Sequence, residues 1–569
     1  MADAMLIRGA TLYDGTGADP VRADVLVRDG RVAAIGADAR RDAGDARVED
    51  AGGLALMPGI VDLHTHYDAQ LTWDPGCSPS PALGVTTAVI GNCGFGIAPC
   101  PPALRDTMLR NLSVVEGMDL DALRAGTRWE FETFGEYLAL LRRLKPSLNV
   151  AVFAQHSTIR TAVMGDEASS RVEPTEAELA QMTRLVRDAM DAGAIGFASS
   201  FSPNHSGWAG APMPSTIAPD RELHALLEPL RERGRGVFMS ATGSRATPEY
   251  MEDVAARTGR PAFISTVLAM YSDSAPTRGL AMYDRCAEAM ARGREVRMLT
   301  SCQPLTFDFD LLSPYVWYPL ASFAPVKAAA GDAEALSRLY ADPAFRERFR
   351  TDLRSPPPGV LFSGDWSQVG IGLATEPNRA LQERSVASLA AEAGRDPIDW
   401  LFDFVLSERL ATRLAGRFFN NRDEGVAPLL KHPASVVTLS DAGAHLSYLC
   451  DAGFGLHLLG HWARDTGTFT LQEAVRRLTS HTADAFRIPD RGRIAVGAPA
   501  DLVLFDPASV GLTPLRSTHD LPAGARRLLR DPVGVHGVWV NGVRTFDGRN
   551  IVAHGPGRGP GGVLDRFVA

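Results

Sequence analysis

Two short stretches carry residues able to do chemistry together. His64-Thr65-His66 follows the apolar run GIVDL. On a strand, residues two apart face the same side, so both imidazoles can reach one metal ion at the strand's end. Ser440-Asp441-Ala442-Gly443-Ala444-His445 follows a second apolar run, SVVTL. A carboxylate there can ligate a metal weakly and accept a proton from water, the general-base role, although an Asp in front of a helix also serves as an N-cap.

Residues so far apart in the chain need a scaffold that brings strand ends together. Eight β-rich apolar runs, LMPGIVDLHTH, GVTTAVIGNCG, SLNVAVFAQH, AIGFASS, RGVFMSA, PAFISTV, EVRMLTS and SVVTLSD, are separated by amphipathic helical stretches such as EAELAQMTRLVRDAMDAG. That alternation predicts an α/β fold, a (β/α)₈ TIM-like barrel over residues 56–488, with reactive groups at the C-terminal strand ends. A doubly wound sheet is the competing arrangement. Short strands with turn signals recur at both termini, in MLIRGATLYD, ADVLVRDG and RVAAIG, then in ADLVLFDP and VHGVWVNGVRTFDG. Residues 1–55 and 489–569 are therefore expected to build one small β-sandwich domain. Residues around 303–375, rich in Pro and aromatics, read as an insertion that could cover the site, with Tyr315, Trp317 and Tyr318 either lining an apolar pocket or packing in a core. The Gly/Pro-rich tail HGPGRGPGGVLDRFVA is expected to pack loosely.

Composition excludes several classes. The 569 residues, 45% hydrophobic and 22% charged, suffice for a large packed core. A net charge of -9 gives no basic excess for nucleic acid. No apolar run is long enough to span a membrane and no signal-peptide pattern opens the chain, so a cytoplasmic protein acting on a small molecule is expected, with homo-oligomerisation left open. The six cysteines, Cys77, Cys93, Cys100, Cys286, Cys302 and Cys450, are too sparse for a disulfide framework.

Together, IRGATLYDGTG, LMPGIVDLHTHYD, GVTTAVIGNCGFGIAP, DAGAIGFASS, SDAGAH, LTSHTA and GRIAVGAPADLVLFDP resemble the amidohydrolase superfamily, specifically its D-aminoacylase (N-acyl-D-amino-acid deacylase) branch, over nearly the whole chain. The resemblance implies metal-dependent hydrolysis of a linear amide, a C–N bond of an N-acyl amino acid or related small molecule, by metal-activated hydroxide. It also implies that His64 and His66 are metal ligands, that Cys93 replaces the bridging carboxylated lysine of other members, and that Asp441 is the catalytic aspartate and a ligand. The only lysines, Lys145, Lys327 and Lys431, lie away from any fourth-strand end, which agrees with a thiolate in that role.

The chain departs from the family at strands five and six, where metal histidines are expected and Ala241 or Thr242 and Thr266 stand instead. One divalent ion per chain, zinc, is therefore expected, since imidazole and thiolate favour zinc over magnesium or calcium. The altered ligand set keeps two alternatives open: a mononuclear-metal lyase, decarboxylase or isomerase on the same fold, or a catalytically impaired binding protein. His156, His205 and His445 are second-sphere or substrate-binding candidates, while His481 reads as an ordinary helix residue. The family's basic residue after the sixth strand is missing, so Arg245, Arg278 and Arg379 are candidates to hold a substrate carboxylate.

Overall fold

The computed structural model describes residues 4–243, 245–265, 270–357, 360–362, 364–445, 452–555 and 557–568. Its centre is a ring of eight strands: β1 (Ile60–Asp62), β2 (Val85–Ile90), β3 (Asn149–Gln155), β4 (Gly196–Ser200), β5 (Val237–Ala241), β6 (Ala262–Ser265), β7 (Val296–Thr300) and β8 (Ser435–Val437). Each pairs in parallel with the next in chain order. The ring closes between β8 and β1, where the His66 N–H donates to Ala442 O at 2.7 Å and the Asp441 N–H to His64 O at 3.1 Å. A doubly wound sheet has no such closing bonds, so this is the (β/α)₈ barrel that the eight apolar runs predict.

The strands are apolar on both faces because both are covered, inward by one another and outward by helices. Val61, Leu63, Val89, Phe153, Met239, Phe263, Leu299 and Val436 belong to one buried cluster. The helix over Glu176–Ala192 shows how sequence fixes its ends. Thr175 and Glu178 form a capping box, and Gly193 closes it at φ +115°.

Both termini feed one eight-stranded sheet. Ala55–Pro58 pairs with Met5–Leu12 on one side and with Leu502–Phe505 on the other, so the chain's two ends are hydrogen-bonded into a single β domain. The tail corrects the expectation of loose packing. Val150 at the start of β3 donates to Gly562 O and accepts from the Leu564 N–H, each at about 2.9 and 2.8 Å, and Leu564 and Phe567 pack on the barrel's inner cluster. Its glycines serve close backbone approach rather than freedom. A Cβ on Gly561 would lie 1.9 Å from Leu148 O, and one on Gly559 2.1 Å from Lys145 O.

The insertion lies between β7 and β8 and runs beyond residue 375. Its antiparallel sheet joins Leu305–Asp310 and Val369–Leu373 through a central strand, Arg413–Phe419. It has a core of its own, including Phe309, Trp317, Phe323, Tyr340, Phe349 and Phe402. Of the two roles open to its aromatics, core packing is the one observed: Trp317 is fully buried there and Tyr318 packs against the same cluster, while Tyr315 is partly exposed at the insertion's surface. Among the described residues no helix is long and apolar enough to cross a membrane.

Candidate metal centre and active site

The strand end after β1 carries His64 and His66, and the turn after β2 carries Cys93. Asn92-Cys93-Gly94 turns sharply, with Cys93 itself left-handed at φ +54°. A Cβ on Gly94 would sit 2.7 Å from Ala198 O, so glycine is required where this turn presses against β4. Asn92 Nδ2 donates to Thr65 O and Val89 O, tying the cysteine turn to the histidine pair. From the other side, Gly443 packs against the His66 backbone at φ +92°, and the closing bonds of the ring hold Asp441 beside both imidazoles.

Four donor atoms converge. His64 Nε2 lies 3.2 Å from His66 Nε2, 3.6 Å from Cys93 Sγ and 3.1 Å from Asp441 Oδ1, while His66 Nε2 lies 3.5 Å from the same carboxylate oxygen. A tetrahedral zinc shell with bonds of ~2.0–2.3 Å spaces its donors by roughly 3.3–3.7 Å, close to the separations of His64 from Cys93 and of Asp441 from His66, while the carboxylate lies beside the imidazoles rather than beside the thiol. His64, His66 and Cys93 form the one group of three or more such ligands among the described residues. Relative exposure ranks the four: His64 2%, His66 5%, Cys93 7% and the Asp441 side chain 19%. The carboxylate is the least buried of the four.

The charges support one another. Burial would raise the Cys93 thiol, yet the His64 charge beside it outweighs burial and holds it below its ordinary value. Burial would lower His64, but the Cys93 and Asp441 charges carry it up to about 9. Asp441, which burial alone would raise, is held well below the usual carboxylate range by its two histidine contacts.

Two residues that no sequence motif singles out stand behind the imidazoles. Glu116, 2% exposed at the end of the helix Arg105–Val115, places Oε1 3.0 Å from His66 Nδ1 and Oε2 3.7 Å from His445 Nε2. Ser265, the last residue of β6, places Oγ 2.9 Å from His64 Nδ1. No motif marks either one.

The other candidates divide. His445 lies at the site through Glu116, and its backbone N–H donates to Glu116 O. His205 hydrogen-bonds Ser200 Oγ at 2.6 Å and packs edge-on against Phe95, with burial pushing its pKa down to about 4. His156 is drawn away from substrate: fully buried, it spends Nδ1 on Ser199 Oγ and Nε2 on Glu222 Oε1, both at 2.8 Å. Arg245 stands beyond β5, its guanidinium 4.3 Å over the Phe201 ring and bonded to Ala218 O and Asp220. Arg379 belongs to the insertion, exposed and paired with Glu376, and Arg278 opens an exposed helix end, so neither is at the site. Ala241 and Thr242 are buried at the end of β5. Thr266 and Cys450 lie outside the described residues.

The same architecture recurs in known proteins. A family model described as an amidohydrolase family matches residues 47–308 and 367–546. A D-aminoacylase of Alcaligenes xylosoxydans xylosoxydans is 30% identical, covering 99% of this chain and 98% of its own. An N-acyl-D-aspartate deacylase of the same organism is 29% identical over 97% and 94%. Among solved structures, a D-aminoacylase superposes with TM-score 0.64 at 26% identity over 99% of both chains. An N-acyl-D-glutamate deacylase of Bordetella bronchiseptica, complexed with zinc and a phosphonate inhibitor, gives 0.64 at 27%, covering 99% of this chain and 100% of its own. The chain belongs to the amidohydrolase family, in its D-aminoacylase branch. It is a metal-dependent hydrolase of carbon–nitrogen bonds other than peptide bonds.

Proposed function

We propose that this enzyme cleaves the linear amide of an N-acyl amino acid or closely related small molecule, using one divalent ion, zinc by preference. The observation that carries the reading is the convergence of His64, His66 and Cys93, with the Asp441 carboxylate within 3.5 Å of both imidazoles and the least buried of the four. When bound, the ion supplies a Lewis acid that polarises the carbonyl and acidifies water. His64, His66 and Cys93 would hold it, and soft thiolate with imidazole would select zinc. Asp441 is the donor free to leave the shell, being the most exposed of the four. It takes the proton of the attacking water and returns it to the departing amine. Neutral His205, close behind, can carry hydrogen bonds at the site without competing for that proton.

The experiment is an N-acyl amino acid panel in water enriched in heavy oxygen, with metal supplied. Hydrolysis is expected to release amine and place one solvent oxygen in the acid product; metal-supplied protein that releases no amine from any member overturns the reading. Asp441→Asn is expected to lower kcat by ~100- to 10,000-fold with the fold unchanged by circular dichroism.

A further inference from the structure

Strands five and six end in Ala241 and Ser265, so neither brings an imidazole to the centre. What remains is a pair of histidines on one strand end, each with its second ring nitrogen in contact with a buried group from another part of the barrel. To ligate through Nε2, each ring must carry its proton on Nδ1. Beside those atoms stand Glu116 Oε1, in ion-pair contact at 3.0 Å and itself without a hydrogen-bond partner, and Ser265 Oγ, hydrogen-bonded at 2.9 Å.

We propose that Glu116 is a positioning residue that gives this reduced centre its metal affinity, with Ser265 a weaker counterpart on the other imidazole. The proposal rests on reading the four donors as a metal centre, though not on the reaction. Three observations carry it. Glu116 is an acidic side chain held almost out of solvent, a costly placement unless a partner shares its charge. Its Oε1 lies 3.0 Å from His66 Nδ1, the atom that must carry the ring's proton when Nε2 ligates. An anion there fixes the tautomer and the ring's orientation and makes Nε2 a stronger donor. The neutral hydroxyl of Ser265 fixes the orientation of His64 with less effect on basicity. Glu116 also bonds the loop that carries Asp441, through its own carbonyl to the His445 N–H and its carboxylate near the His445 ring. One residue thus sets a ligand and steadies the base's loop.

The test measures zinc binding to the full chain by competition with a chromophoric chelator, and the visible spectrum of the cobalt-substituted protein, both without substrate. Glu116→Gln is expected to lower zinc affinity by roughly 10- to 100-fold and to shift the cobalt bands, while the metal-free protein keeps its thermal midpoint. Glu116→Asp, which keeps the charge but withdraws it by one methylene, is expected to fall between, and Ser265→Ala to lose less than either. Should Glu116→Gln fail to fold, the Asp variant decides. Wild-type affinity and spectrum in whichever Glu116 variants fold overturn the proposal, as does a lowered thermal midpoint with affinity unchanged, the mark of a purely structural role. Absence of amide hydrolysis would sink the proposed reaction and leave this one standing.

Discussion

Glu222 shows how a histidine can look functional in sequence and be structural in the fold. His156 ends an apolar run as the site histidines do, but it and Arg160 both turn onto the Glu222 carboxylate, all three fully buried. Arg160 also donates to Ala168 O and Val172 O. Breaking one member of a buried ion network leaves a charge without compensation, at about 3–5 kcal/mol. Glu222→Gln should therefore lose about that much stability at neutral pH in a urea titration. The pH sign follows from two shifts. Burial lowers the His156 pKa, and although burial would raise Glu222, its His156 and Arg160 contacts hold it below the ordinary carboxylate value. Both depressed groups contribute stability at neutral pH that is lost as pH falls, first below the ordinary histidine value of ~6.5 and then through the carboxylate range. The wild type should weaken across that window, whereas the Gln variant keeps the histidine part of the loss, since Glu222 is what raises His156, and lacks the carboxylate part. Equal slopes through the carboxylate range would show that Glu222 does not govern acid stability.

At the scale of elements, the sequence was most legible where periodicity and local chemistry agree. All eight apolar runs became barrel strands, and the HTH and SDAGAH stretches met because the ring closes between their strands. Glu116 was illegible because it follows a helix, lies 50 residues from His66 and stands in no motif; only its burial marks it. Ser265 looks like any strand-ending serine until β6 is set beside β1's extension. The insertion's end was misplaced because its central strand, Arg413–Phe419, pairs with a strand a hundred residues earlier, which no local pattern reveals. The tail misled for another reason. Gly and Pro signal turns, whereas here the glycines allow the chain to lie against Lys145, Pro146 and Leu148. Removing residues 558–569 should uncover the barrel's lower end, where Leu564 and Phe567 are half-buried. Half the burial of a Leu and a Phe amounts to about 2–3 kcal/mol. The truncated protein should melt earlier in calorimetry yet keep its kcat at low temperature, since the plug lies at the end opposite the site. An unchanged melting temperature would mean that the tail carries no load.

At the scale of the whole molecule, the barrel supplies every donor of the centre, the insertion carries its own core between β7 and β8, and the C-terminal segment bonds to both. Arg526 from that segment reaches Asp308 of the insertion, which also takes Arg413, and Arg530 reaches Glu383. Such a frame can be rigid without metal, so metal should add stability to a formed fold rather than create it. The number of ions is then a property of the barrel's strand ends taken together. A D-aminoacylase with 26% identity has been described with a binuclear metal centre, one metal activating and the second attenuating. In this chain, β5 ends in Ala241, which has no donor atom, and β6 in Ser265, which is engaged with His64. Among the described residues one group of donors converges, His64, His66 and Cys93, and the proposed single-ion centre rests on it. Elemental analysis after exhaustive dialysis should therefore find close to one zinc per chain. A chelator should lower the melting temperature, and zinc at a hundredfold excess over its Kd should restore about 2.7 kcal/mol. Cys93→Ala should reduce both occupancy and that increment, because it removes the anionic donor most deeply held in the shell. Two zinc ions per chain that survive dialysis would refute the single-ion centre and send the search for further ligands to the loops around the barrel mouth.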